Sequence, residues 1–415
     1  MVQTPDGGAS QAAQYEPDHL VVALPHLRAV RAALLHLDGG SVAAHVEDSD
    51  ERLGLAVLKL TDIETDAGRL RQSADLMAAL AGARHSAGPV TDLDLVMFEL
   101  RRHFAERYFG WTPTMGKNRR LEPIHGLPEV MWGGKGFPDP VEPGSVRITR
   151  PTSVAGTPVR IGIMDTRLYA HPLLQGSYLA AEDSILSADA PLPQAAGHAT
   201  FIAGLILQQA PAVDLDVRAC LSDDGTATAW DAACTMVKLA DSGVEVLNVS
   251  WGCRTDDGQG PLVLSRAVEL LSPDVVIVAA GGNHPVDPSG HQRVPPRTPT
   301  FPAAFSEVVA VGASNDDGSV ADFNPDGPWM DLRAPGVEVR STYLSGKVDV
   351  VREPGQKETT EFAGYASWTG TSFAAANVTG EIAKYIQPGR RGAREVLEMM
   401  LDPTDGGPPF LTKPF

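Results

Sequence analysis

After a polar opening stretch the chain breaks into short apolar runs whose period changes from one to the next. Leu20 to Leu24 is continuous, as a buried strand requires, and Val30, Leu34, Leu35 and Leu37 then recur at helical spacing. Val42 to Val46 and Leu55 to Leu58 return to strand-like runs. A second helix is predicted over about 67–83, with Leu70, Ala74, Leu76, Met77 and Leu80 on one side. The segment from Val90 fits two elements. It reads as a fourth strand ending at Phe98, or as a helix across 93–109 in which Val96, Leu100, Phe104 and Tyr108 recur every four residues. Residues 19–109 therefore read as a small α+β domain preceded by a disordered tail, 1–18.

Between 110 and 144 the periodicity is lost to Gly, Pro and scattered charge, a linker signature. Its exposure should invite cleavage, with the basic run Lys117-Asn118-Arg119-Arg120 as the expected place. Gly133-Gly134-Lys135-Gly136 lacks the spacing and the preceding strand of a phosphate loop. From 158 onward strands and helices alternate. Strands are predicted at Val159–Met164, Leu215–Cys220, Val246–Ser250, Val275–Ala280 and Val308–Gly312, and helices at Ala199–Gln208, Thr228–Ser242 and Leu262–Leu271. Such alternation implies a mostly parallel sheet covered by helices on both faces, with functional residues beyond the carboxyl ends of its strands.

Composition narrows the class of function. The 415 residues are 43% hydrophobic and 21% charged, ordinary for a folded chain, so a sizeable core can form. Thirty-four basic against 52 acidic residues leave a net charge of −18, the wrong sign for neutralising nucleic-acid phosphates. The apolar run Val275–Ala280 is far shorter than the roughly 20 residues that span a bilayer. The N-terminus has neither a basic region nor an apolar stretch of the signal-peptide kind, which gives the expectation of a cytoplasmic chain without membrane partners. Cys220, Cys234 and Cys253 are odd in number and lack C-x-x-C spacing, so they read as reduced thiols.

Three segments place a reactive residue type at a strand end or a helix start. In RIGIMDTRL the strand runs into Asp165; in GHATFIAGLI, His198 opens a helix; in WTGTSFAAANVTGEIA, Ser372 opens another, where free backbone N–H groups favour a developing anion. Each alone is also ordinary capping or turn chemistry. Together they supply an orienter, a base and a nucleophile in the order Asp, His, Ser.

With these segments the chain from about 145 to 390 resembles the subtilisin-like serine proteases, the peptidase S8 family. IGIMDT, GHATFIAG and GTSFAAAN stand where the family has its three signatures, and VLNVSWG and VVIVAAGGN match its substrate-pairing strand and the strand before its side-chain oxyanion donor. The resemblance implies a three-layer α/β fold for 145–415 and an acyl-enzyme mechanism needing no cofactor and no metal. It implies Ser372 as nucleophile, His198 as general base and acid, Asp165 as its orienter, and Asn283 as oxyanion donor with the Ser372 N–H. Ser250, Trp251 and Gly252 would pair with the peptide substrate, although Trp251 fits simple packing equally well. Gly281 and Gly282 would also bind substrate, and Thr300 would form the base of the pocket for the residue before the cut bond. Thr300 there favours small or medium apolar side chains, whereas Arg293 and Arg297 would favour an acidic one. Ala199, Phe201 and Ala376 depart from the family's usual Gly, His and Pro. No calcium site is assigned, since Asp214 and Asp216 alternate along a strand instead of converging. Residues 19–109 resemble the family's propeptide domains, which leaves two readings, an inhibitory propeptide or a permanent accessory domain. The resulting expectation is an intracellular endopeptidase acting on a limited set of peptides or proteins. A non-catalytic peptide-binding module and a transpeptidase are its rivals.

Overall fold

The computed structural model describes residues 14–37, 42–83, 89–123, 136–151, 158–187, 192–255, 257–284, 294–353 and 356–402. The chain divides into two compact units, Met1–Arg120 and Leu121–Phe415.

In the first unit, strand Tyr15–Ala23 pairs antiparallel with Leu55–Thr61 on one side and with residues 115–119 of strand Met115–Pro123 on the other, and Ala43–Asp50 adds outside Leu55–Thr61. Leu20, Val22, Leu58 and Leu60 alternate onto one face and bury Val30, Leu34, Leu93, Val96, Leu100 and Phe104 from the helices. The helix expected over 67–83 is two, Ile63–Leu70 and Ala74–Ala83, because the Ser73 hydroxyl accepts the Leu76 N–H at 3.3 Å and starts a new turn. The segment after Val90 is helix Asp92–Arg107. Thr91 Oγ1 accepts the Asp94 N–H at 3.2 Å while the Asp94 carboxylate accepts the Thr91 N–H at 3.0 Å, a reciprocal cap that an extended strand could not form.

Two expectations are corrected. The tail read as 1–18 does not reach Asp18, since Tyr15 opens the first strand, is 5% exposed, and donates its hydroxyl to Thr91 at 2.6 Å. Residues 1–13 lie outside the described residues, as do Gly133 to Lys135. The basic run is no exposed loop: Lys117, Asn118 and Arg119 are buried in strand Met115–Pro123, with Lys117 Nζ 2.7 Å from the Asp94 carboxylate.

The second unit is built on seven parallel strands in the order Leu332–Pro335, Val308–Ser314, Val276–Ala280, Val246–Val249, Arg160–Asp165, Asp214–Ala219, Tyr178–Ala180. The chain enters at Arg160–Asp165, builds toward Tyr178–Ala180, then returns to lay Val246–Val249 on the other flank. This reversal leaves a crevice beyond the carboxyl ends of Arg160–Asp165 and Val246–Val249. The expected strand ends hold to within two residues, and helix Leu262–Leu271 stands as read.

Helices His198–Gln209 and Thr371–Tyr385 pack together against the sheet, and Ala229–Ala240 and Leu262–Leu271 pack against each other. Every residue from His198 to Leu207 is buried. Close approach explains Gly204, where a Cβ would stand 2.3 Å from both Ser341 Oγ and Thr342 Oγ1. Those hydroxyls donate to the Phe201 and Thr200 carbonyls at 2.7 Å, tying the helix to a long hairpin, Val339–Glu353 and Gln356–Trp368, absent from the sequence reading. Asp139–Pro140 pairs with Ala366 and Ser367 at its base. None of the three cysteines is in a disulfide, and burial pushes the Cys220 thiol well above its ordinary range. Among the described residues no helix is long and apolar enough to cross a membrane.

Candidate active site

Asp165 ends its strand with the carboxylate fully buried, a position that demands a partner. One oxygen accepts the Thr166 N–H at 2.7 Å, and the two oxygens lie 2.8 and 2.9 Å from His198 Nδ1. The imidazole is thereby oriented with Nδ1 toward the acid and Nε2 away from it. The Thr166 hydroxyl accepts the Ala199 N–H at 3.2 Å, which satisfies one of the open donors at the start of the histidine's helix.

Around His198 the ring system is apolar. Trp368 meets the imidazole edge-on at 5.7 Å, Phe373 lies at 5.6 Å, and Phe201 stacks obliquely on Phe373 at 4.6 Å. Phe201, one of the departures noted in the sequence, thus belongs to the packing that seats the His198 imidazole. The Trp368 indole N–H donates to the Gly136 carbonyl at 3.2 Å.

Ser372 is the second residue of helix Thr371–Tyr385 and is fully buried. Its hydroxyl donates to the Ser250 carbonyl at 3.0 Å, and the Ser250 hydroxyl donates back to the Ser372 carbonyl at 3.0 Å. Behind this pair, Asn248 Nδ2 donates to Ser250 Oγ at 2.9 Å and Thr379 Oγ1 donates to Asn248 Oδ1 at 3.0 Å. Asn283 is tied to the same helix start, because its Oδ1 accepts both the Thr371 N–H at 3.1 Å and the Thr371 hydroxyl at 3.0 Å. With the oxygen so held, the amide presents its NH₂ end away from Thr371. Thr371, Asn248, Thr379 and Trp368 were not singled out from sequence. Thr371 could have been, as the residue between the glycine and the serine of WTGTS.

The substrate-binding candidates gather along one edge. Trp251 and Gly252 pair antiparallel with Pro123 and Glu122 of the chain itself. The Trp251 side chain serves packing, being fully buried with its indole N–H on the Met164 carbonyl at 2.8 Å, so its backbone is what forms the edge. Gly281 and Gly282 are buried; Gly282 has φ +118°, and a Cβ there would stand 2.4 Å from Thr300 Oγ1. Thr300 is 4% exposed, beside Phe301, which bridges Cys253 through two 2.9 Å backbone hydrogen bonds. Arg297 is exposed and Arg293 lies outside the described residues. Asp214 and Asp216 lie beside Arg150 at 3.5 Å and Arg218 at 2.7 Å. Among the described residues no group of three or more His, Cys, Asp or Glu side chains is placed to hold a metal ion.

The family model of the subtilase family matches residues 156–401. The thermophilic serine proteinase of Bacillus sp. (strain AK1) is 29% identical over 261 residues, which cover 59% of this chain and 57% of that protein. Alkaline elastase YaB of Bacillus sp. (strain YaB) is 30% identical over 250 residues, covering 57% and 56%. The chain therefore spans little more than half the length of these relatives. Among solved structures, a lanthipeptide protease is similar at 24% identity with a TM-score of 0.47, covering 58% of this chain and 78% of that one. With a family model matched over more than half its length, the chain belongs to the subtilase family, the subtilisin-like serine proteases.

Proposed function

We propose that this chain is a serine endopeptidase that hydrolyses peptide bonds through an acyl-enzyme on Ser372. The observation that carries it is the buried Asp165 carboxylate on His198 Nδ1, with Ser372 and Asn283 gathered on the start of one helix. In this mechanism His198 Nε2 takes the Ser372 hydroxyl proton as the oxygen attacks the scissile carbonyl, and Asp165 stabilises the imidazolium that results. The Asn283 NH₂ and the Ser372 backbone N–H donate to the oxyanion, in a site where burial strengthens each bond. The protonated imidazole gives its proton to the leaving amine, and water deacylates the serine by the same route in reverse. A fluorophosphonate probe should label the wild-type chain and leave Ser372→Ala untouched, and product masses from a cleaved peptide should show hydrolysis, not ligation. Undiminished peptide cleavage by Ser372→Ala would defeat the assignment.

The pairing of Glu122 and Pro123 with Trp251 and Gly252 favours a second element of the reading, that the N-terminal region is propeptide-like. A chain segment added to that edge occupies the place of a substrate strand and competes with one. A separately made 1–123 fragment should then inhibit peptide hydrolysis by an activated enzyme in trans. A fragment that binds without inhibiting would mark an accessory domain.

A further inference from the structure

Buried polar atoms in native proteins are nearly always paired, and those that are not call for an explanation. Several that lack a hydrogen-bond partner fall on the loops around Asn283. Both ring nitrogens of His284 are among them, in a side chain with no exposed surface, as are the Thr300 hydroxyl at 4% exposure and the Thr255 hydroxyl at 7%. These residues come together through the backbone. His284 follows Asn283 directly, Gly282 approaches the Thr300 hydroxyl, and Thr300 adjoins the Phe301–Cys253 bridge that leads into Arg254 and Thr255.

We propose that His284, Thr300 and Arg254 form a polar pocket that selects an acidic side chain, Asp or Glu, in the peptide residue preceding the cut bond. The inference rests on the peptidase reading above and names its substrate class. An apolar side chain would leave the imidazole and the hydroxyl buried without partners, a lasting cost. A carboxylate accepts from an imidazole N–H and a threonine hydroxyl and is drawn by the guanidinium, whereas a lysine or arginine side chain is repelled. Two electrostatic effects agree. Burial lowers the His284 pKa to about 4, and Arg254, next in the chain to the Cys253–Phe301 bridge, adds to that lowering, which holds the imidazole uncharged. Burial lowers the pKa of Arg254, and Glu122, paired opposite Gly252, opposes that lowering, so a carboxylate already bears favourably on this arginine.

The test uses the full chain and a matched set of tetrapeptide anilides differing only in the residue before the anilide: Glu, Gln, Leu, Phe and Lys. Expected is the highest kcat/KM for Glu, with Gln next, and at least about a tenfold preference for Glu over Leu, the scale of one well-made side-chain discrimination. In His284→Leu and in Arg254→Gln that ratio should collapse through loss of the Glu peptide's kcat/KM, with the Leu peptide still a substrate and improved where the unpaired imidazole is gone, and fluorophosphonate labelling should persist. A merely structural role would lower all substrates together. Calorimetric binding of the corresponding free tetrapeptides to Ser372→Ala reads the same ranking without turnover. A preference for Leu or Phe, or a Glu-to-Leu ratio unmoved in both variants, would overturn the pocket. Absent labelling and absent cleavage, with the Glu peptide still bound preferentially, would overturn the peptidase reading and leave the pocket standing.

Discussion

At the scale of single residues, the groups proposed to react stand where secondary structure ends, which is what drew attention to them in the sequence. Asp165 closes an apolar strand, while His198 and Ser372 open helices with small residues behind them, so residue type and position pointed the same way. Asn283→Ala should lower kcat by about 10²–10³ with KM little changed, the known cost of removing a subtilisin's side-chain oxyanion donor rather than a value taken from this geometry. His284 carried no such local signal, because nothing in its neighbours announces that the ring is wholly buried. Its titration is readable as stability. With a folded pKa of about 4 against 6.5 when unfolded, the unfolded chain binds a proton first as pH falls. Stability is therefore full above pH 6.5 and declines between 6.5 and 4, by a total on the order of 3 kcal/mol from this group. Denaturant titrations across that window should show a shallower decline in His284→Gln than in the wild type, and parallel curves would contradict it.

Among the elements, those with one apolar period were read correctly and those defined by distant contacts were not. The hairpin arm Gln356–Trp368 is exposed over its first half, and the residues that alternate inward over its second half, Phe362, Gly364, Ala366 and Trp368, include two too small to mark a strand in the sequence. The division of the 67–83 helix depends on one hydroxyl, Ser73, whose capping role competes poorly for notice with the apolar spacing around it. Trp368 gains its place by folding back over His198, a contact between residues 170 positions apart. Its replacement by Ala should cost about 3–5 kcal/mol, as for other large buried aromatics. Gly204→Val should cost about 1–3 kcal/mol by forcing the His198 helix from Ser341 and Thr342. Thermal unfolding measures both, and a Gly204→Val midpoint equal to wild type would mean the helix and hairpin can part without loss.

For the whole molecule, the alternation of apolar runs was enough to indicate an α/β region after a smaller α+β one, but the break between them was not legible. Compactness divides the chain at Arg120–Leu121, inside a strand, whereas the loss of periodicity began at 110. The reason is that Gly116, Asn118 and the charged residues beside them do not look like a strand, although backbone pairing with Val21 and Leu20 makes them one. The continuation of that strand onto Gly252 should make the chain its own competitor. Glu122→Arg, which replaces attraction to Arg254 by repulsion, should raise the initial rate on an external peptide several-fold, and an unchanged rate would argue against self-occupancy.

In the proposed mechanism the mutual hydrogen bonds of Ser250 and Ser372 would couple recognition to reactivity. The carbonyl that accepts the nucleophile's hydroxyl belongs to the residue next to Trp251, so a peptide strand extended along this edge by one residue from the Glu122–Pro123 register would offer that carbonyl an N–H of its own. The newcomer would compete with the serine and loosen its hold, so docking a long backbone would free the hydroxyl to pass its proton to His198 in the proposed mechanism. Binding energy gathered remotely would then appear in turnover. Lengthening a peptide should raise kcat more than it lowers KM, and methylating the single amide opposite Ser250 should reverse most of that gain.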